Sequence, residues 1–187
     1  MPEPSAIARA RKIKLIIFDV DGVLTDGKIW IFPAPGGSHS TSLIEAKGFH
    51  AHDGTGISLA RAAGIKTGII TKRNSETVAL RARDLKIDHV HQGIQDKASV
   101  FAQILQKDGI TADEAAFVGD DVIDLPAMRK CGLAIAVKNA RPEVKAEAHW
   151  STPHAGGEGA ARDAVEYILK AQGKWKQAVE AYIAEKS

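Results

Sequence analysis

The sequence predicts an α/β fold, a parallel sheet with helices on both faces. Three observations lead there. Short apolar runs alternate along the chain with longer helix-like segments, the pattern of repeated strand–helix–strand units. Polar residues, many of them acidic, gather just after several of the apolar runs, where an open parallel sheet binds its ligands. The 187 residues suffice to bury a full core and favour one domain covering residues 1–187. A sheet of this kind is Rossmann-like.

The first strand is Leu15–Phe18, an apolar run that stops abruptly at Asp19 and Asp21. Residues 28–32 and 42–49 read as two strands of a projecting hairpin, a flap over about 28–49, joined by the turn-forming "PAPGGSHST". Residues 56–63 suit a helix with Gly64 as its C-cap. The next strand is Lys66–Ile70, followed by a helix over 76–85 that Asn74 or Ser75 can cap. Residues 87–90 form a short strand. Residues 97–107 are amphipathic, with Val100, Ile104 and Lys107 on one face and Phe101 and Leu105 beside it. A strand at 115–118 precedes a helix at 123–130 closed by Gly132; a strand at 133–137 follows, and Trp150 ends another. Gly159 precedes a helix at 160–171. After Gly173 a tail helix over about 173–187 carries Trp175, Ala178, Val179 and Tyr182 in one apolar stripe. That stripe either closes the chain's own core or docks on another subunit.

Composition excludes several function classes. The formal charge is +2, with both signs spread along the chain, so charge supports neither nucleic-acid binding nor a membrane-surface role. No apolar stretch approaches the ~20 residues of a membrane span. The start, Met1-Pro2-Glu3-Pro4-Ser5, lacks the basic and apolar regions of a signal peptide. Cys131 is the single cysteine and cannot make an internal disulfide, which fits a reducing cytoplasm.

Four segments bring chemistry to the predicted carboxyl rim of the sheet. The first supplies Asp19 and Asp21, and "GIITKRN" supplies Thr71, Lys72, Arg73 and Asn74. "QGIQDK" supplies Asp96 and Lys97, and "AFVGDDVIDLP" supplies Asp120, Asp121 and Asp124. Two carboxylates ~4 Å apart repel by about 4 kcal/mol at an effective dielectric of 20. Gathering Asp19, Asp21 and Asp120 therefore calls for positive charge among them. Lys97 offsets one charge. A hard dication with oxygen ligands offsets the rest, and Mg2+ is the usual choice where phosphate also binds. His50/His52 and His89/His91 have no cysteine partners and read as ordinary surface or edge residues. Lys97 and the Thr71 hydroxyl suit phosphate oxygens, and backbone N–H groups at residues 20–22 and near Thr71 can complete a cradle. A carboxylate beside a bound phosphate can form an aspartyl-phosphate. A second carboxyl two residues on can protonate the leaving oxygen and then activate water.

Two near-motifs fail. "GVLTDGKI" almost spells a phosphate-binding P-loop, but Ile29 stands where Ser or Thr is needed and Asp26 lies inside the loop. "GTGISL" lacks the third glycine of a dinucleotide fingerprint and reads as a flexible helix entry.

"FDVDGVLTDG", "IITKR", "QDK" and "VGDDVIDLPAM" occur in the order and spacing of four motifs, and over about residues 13–171 the chain resembles the haloacid dehalogenase phosphatase superfamily. The resemblance implies a small β-hairpin flap in place of a cap domain. It implies Asp19 as nucleophile and Mg2+ ligand, with Asp21 as acid/base and metal ligand through its carbonyl. Thr71 and Lys97 would hold the phosphate, and Asp120 would complete the metal site. Gly22, Asp121 and Asp124 would support it, Asp124 in a structural role, and Arg73 would meet a sugar-acid carboxylate. "DGTGI", "QGIQDK" and "GGEGAARDAVEYIL" point within the superfamily to a cytoplasmic enzyme that dephosphorylates an eight-carbon keto-deoxy sugar-acid phosphate for lipopolysaccharide precursors. Members of that branch are homotetramers in which a neighbour's hairpin or tail helps close the site, which gives the hairpin and residues 156–159 a purpose beyond linkage. Two features depart from the pattern: Lys72 stands at a usual glycine, and the "FPAPGGSHSTS" loop is longer and richer in proline. The alternatives are the same chemistry on a nine-carbon sugar-acid phosphate, whose phosphatases share the Gly-Glu-Gly around Glu158, and a non-catalytic regulatory or oligomer-forming module.

Overall fold

The structure, a computed structural model, describes residues 5–34 and 43–186. Strands β1 (Leu15–Phe18), β4 (Lys66–Ile70), β5 (His89–His91), β6 (Ala115–Gly119), β7 (Leu133–Ala136) and β8 (Trp150–Ser151) form one sheet. Its order is β5-β4-β1-β6-β7-β8, and every pairing in it is parallel. The chain builds outward from β1 to β5, then crosses back to β6 on the other side of β1. Leu15 lies opposite Lys66 on one side and Ala115 on the other; Phe18 lies opposite Ile69 and Val118. The residues that follow β1, β4 and β6 therefore emerge side by side at the topological switch point, where doubly wound sheets bind ligands.

Helices α1 (Ala6–Ala10), α2 (Ala51–Ala62), α3 (Glu76–Asp84), α4 (Lys97–Asp108), α5 (Leu125–Met128), α6 (Pro142–Glu147), α7 (Ala160–Ala171) and α8 (Trp175–Lys186) flank the sheet. All residues of β1, β6 and β7 are buried, and Phe101 of α4 meets Phe117 of β6 edge to face at 6.2 Å. Among the described residues no helix is long and apolar enough to cross a membrane.

Several boundaries differ from the sequence expectation for identifiable reasons. Helix α2 starts at Ala51, not at residue 56, because the His50 ring accepts a hydrogen bond from the His52 N–H as N-cap. The glycines of "DGTGI" are thus inside a helix and are not a flexible entry. A Cβ at Gly56 would lie 2.9 Å from the Arg162 Cα, and one at Gly54 2.6 Å from the Arg81 guanidinium. Asp53 of the same turn accepts the Arg162 N–H at 2.8 Å and so caps α7, whose own N-cap, Gly159, has no side chain. Residues 87–90 shift to His89–His91 because Ile87 donates to the Ala82 carbonyl in the exit turn of α3, where Lys86 takes a left-handed φ of 55°. His89 lies on the edge strand β5 but its side chain is buried; its Nε2 meets Asp108 Oδ2 at 2.7 Å. Residues 123–130 yield only the short α5, because residues 121–124 form a turn that points Asp124 inward. Helices α1 and α6 were not expected from the sequence. The Gln172 amide ties α7 to the first by donating to the Ala10 and Ile13 carbonyls.

The hairpin consists of β2 (Trp30–Pro33) and β3 (Leu43–Ala46), antiparallel, with Trp30 opposite Ala46 and Pro33 opposite Leu43. Ser42 and most of the expected turn lie outside the described residues. Trp30, Ile31, Phe32, Leu43 and Ile44 are all exposed. The tail settles on its own chain: Ala178 is buried in the core, and Trp175, Val179 and Tyr182 pack against it. Arg162 stacks over the Trp175 ring at 4.9 Å, and Arg61 pairs with Glu185 at 3.1 Å.

Candidate active site

Asp19 follows β1, Thr71 follows β4 and Asp120 follows β6. Lys97 is the first residue of α4, an unfavourable place for a cation because the helix N-terminus is already positive. Carboxylates hold it there: Lys97 Nζ lies 2.8 Å from Asp19 Oδ1 and 2.6 Å from Asp124 Oδ1. All three side chains are buried, with Lys97 only 2 % exposed. Burial alone would lower the lysine pKa; Asp19 and Asp124 outweigh it and hold the ammonium above its ordinary value. The neighbouring Asp96, expected at the rim, instead caps α4 by accepting the Ser99 N–H at 3.0 Å.

Asp124 is an organiser. Its second oxygen accepts the N–H groups of Asp120 (3.0 Å) and Asp121 (3.3 Å), which fixes the turn that carries both acids. Asp19, Asp120 and Asp124 offer oxygens within 4.8 Å of one another. Both oxygens of Asp124 are already engaged, so Asp19 and Asp120 are the side chains available to a cation. Asp120 Oδ1 is buried and has no hydrogen-bond partner among the described residues. Burial, then the charges of Asp19, Asp124 and Asp121, push the Asp120 pKa up to about 8. Burial and Asp124 push Asp19 up to about 7 against the pull of Lys97. An orphaned carboxylate oxygen in an over-acidic cluster of oxygen donors is what a hard dication such as Mg2+ fits.

Asp21 faces the flap. Lys47, just beyond β3 and with a fully buried side chain, pairs with Asp21 Oδ1, and its ammonium also lies 3.7 Å from Glu45. Arg73 reaches from the loop after β4 to Glu45 at 2.8 Å and to Asp21 at 3.9 Å. Arg73 is therefore engaged with acids, where a sugar-acid contact was expected. Lys47 and Glu45 escaped sequence reasoning; their only signal was alternate spacing on one hairpin strand.

Gly22 has φ +96°, and a methyl there would overlap the Asp120 carboxylate. Asn139, also missed, donates to the Gly22 carbonyl at 3.0 Å and accepts the Gly156 N–H at 2.7 Å. Gly156 and Gly157 press on residues 22–26 so closely that a Cβ at either would overlap backbone. The Gly-Gly-Glu-Gly stretch therefore braces its own chain's first motif loop. Two of the expected cradle amides are engaged elsewhere: Gly22 donates to Thr25 Oγ1 and Thr71 to the His91 carbonyl.

A cavity of about 400 Å³ opens over this floor, lined by Asp19, Asp21, Thr71, Lys72, Arg73 and Asp120, with Gln95, Asp121 and Ile123 beside them. Of the residues expected at the site, Asp19, Asp21, Thr71, Arg73, Asp120 and Asp121 line it. Lys97 and Asp124 lie beneath, and Gly22 allows the approach.

A doubly wound sheet whose switch point joins paired acids, a buried lysine and an open polar cavity has the arrangement of a phosphoryl-transferring hydrolase. The haloacid dehalogenase-like hydrolase family matches residues 65–162, and the chain belongs to that family. It is 41 % identical over 172 residues to the 3-deoxy-D-manno-octulosonate 8-phosphate phosphatase KdsC of Escherichia coli K12, covering 92 % of this chain and 87 % of that protein. A Moraxella catarrhalis 3-deoxy-D-manno-octulosonate 8-phosphate phosphatase, solved with magnesium, phosphate and KDO, superposes with a TM-score of 0.84 at 37 % identity, covering 97 % of this chain and 98 % of that one. The Yersinia pestis phosphatase of the same name gives 0.84 at 37 % identity, covering 91 % and 88 %.

Proposed function

We propose that the chain is a Mg2+-dependent phosphomonoesterase that converts 3-deoxy-D-manno-octulosonate 8-phosphate to KDO and phosphate. The reading is carried by one observation: a buried Lys97 clamps Asp19 beside the orphaned oxygen of Asp120 at the floor of an open polar cavity. The substrate comes from the relatives at about 40 % identity. Asp19 and Asp120, with the Asp21 carbonyl, would hold Mg2+, which supplies positive charge against the phosphoryl oxygens.

Asp19 attacks phosphorus; an oxygen–phosphorus bond forms, the ester bond breaks, and Asp21 gives the leaving alkoxide its proton. Water then attacks the aspartyl-phosphate and returns a proton to Asp21, which frees phosphate and Asp19. Lys97 fixes the nucleophile and neutralises the cluster, and Thr71 offers a hydroxyl to a phosphate oxygen. Lys47 aims Asp21 from the flap. The exposed apolar hairpin fits a second copy of the chain, since an isolated two-stranded ribbon is marginal in water. A homotetramer with hairpins packed at its centre satisfies it, and sedimentation of a monomer would refute that assembly.

The deciding experiment is phosphate release from KDO 8-phosphate with Mg2+ by wild type and Asp19→Asn. Release by the wild type alone is expected; equal release by both removes Asp19 as nucleophile. A nine-carbon sugar-acid phosphate assayed in parallel tests chain length, and a clear preference for it overturns the substrate. Inactivity across both esters with normal assembly would make the chain a non-catalytic module.

A further inference from the structure

The cations around the cavity differ in one respect. Lys97 is held by Asp19 and Asp124, Lys47 by Asp21 and Glu45, and Arg73 by Glu45 with Asp21 nearby. Lys72 lines the same cavity, is exposed, and has no ion pair or hydrogen bond among the described residues. Its position adds direction. Thr71 is buried at the floor, where the phosphate would sit, and Lys72 is the next residue outward. Its ammonium therefore belongs to the mouth, on the side of the leaving group. Of the other exposed residues of the lining, Gln95 and Ile123 carry no charge, Arg73 is already paired with Glu45, and Asp121, like the buried acids, repels an anion.

We propose that Lys72 is a specificity-determining residue that anchors a carboxylate on the leaving group, the role that the family resemblance implied for Arg73. The proposal rests on the reading of the substrate as a sugar-acid phosphate. It makes acid recognition a property of an uncommitted lysine at the rim, separate from phosphate recognition at the floor.

The test compares wild type, Lys72→Met and Lys72→Arg at saturating Mg2+, measuring kcat and KM for KDO 8-phosphate and the Ki of inorganic phosphate as competitive inhibitor. A lost charge-assisted hydrogen bond predicts a KM for Lys72→Met raised by about 10-fold or more. The expected kcat stays within about threefold, the phosphate Ki is unchanged, and Lys72→Arg keeps most of the affinity, because an arginine offers the same charge. A parallel rise in the phosphate Ki would place Lys72 on the phosphate and overturn the proposal, as would an unchanged KM. Failure of the underlying substrate reading looks different: wild type then releases phosphate from other esters but not from KDO 8-phosphate.

Discussion

Removing metal should make the folded protein sensitive to alkali. Asp120 rises from 3.8 to about 8 through burial and the charges of Asp19, Asp124 and Asp121, and Asp19 from 3.8 to about 7 through burial and the charge of Asp124. A carboxyl whose folded pKa lies above its unfolded one holds its proton more tightly in the native state. Stability is then greatest below the unfolded value near 4 and is lost as pH climbs through the folded value near 8. At ~1.4 kcal/mol per pH unit, Asp120 alone in a dry site would cost about 4 kcal/mol between pH 5 and pH 8. Water reaches Asp120 in part, and its titration is linked to that of Asp19, so half of this, about 2 kcal/mol, is the expected loss. For a chain of this length that is about 4–8 °C in Tm. The assay is thermal melting of chelator-treated protein from pH 5 to pH 8, with and without Mg2+, for wild type and Asp120→Asn. Metal-free wild type should melt lower at pH 8 by that amount, and Mg2+ should restore it there but add little at pH 5, where protons already neutralise the cluster. Asp120→Asn should lose the Asp120 share of the slope, keep that of Asp19, and lose most of the response to Mg2+. Equal slopes in the two proteins, or equal stabilisation by Mg2+, would refute the electrostatic account of this site.

Three further outcomes follow from the geometry. Gly22→Ala places a methyl against the Asp120 carboxylate at φ +96°, so it should cost about 1–2 kcal/mol in backbone strain. It should also raise the Mg2+ concentration for half-maximal activity about 10-fold as Asp120 is displaced; an unchanged Mg2+ titration contradicts the close approach. Lys47→Met leaves Asp21 without its buried partner, and kcat should fall about 10–100-fold with KM within about threefold, since small misplacements of a reacting group are that costly. An unchanged kcat would remove the flap from catalysis. Asn139→Ala removes the bridge between the Gly22 carbonyl and the Gly156 N–H and should destabilise by about 1–3 kcal/mol in a denaturant titration. A midpoint equal to that of wild type would show that the brace contributes nothing to stability.

Much of the site was legible because each acid follows its own strand. The short run Leu15–Phe18 between breaks reads as a buried strand, and a strand delivers the next residue to a defined edge of its sheet. The same holds for Thr71 after Lys66–Ile70 and Asp120 after Ala115–Gly119. Lys97 was legible as a motif residue, but its clamp between Asp19 and Asp124 was not, because Asp124 reaches it only after a turn that local propensity reads as helix.

From its residues alone this chain determined the alternating fold, the placement of acids at strand ends and the need for a dication among them, since burial periodicity and charge are local properties of the sequence. Tertiary structure decided the rest. It joined Lys47 to Asp21, turned Arg73 toward Glu45, left Lys72 uncommitted, braced Gly22 through Asn139 and Gly156, and laid the tail on its own core. Apart from Lys72, each of these pairs residues far apart in the chain, and such pairings follow from how close packing lets the elements approach, which no local pattern of residue types encodes.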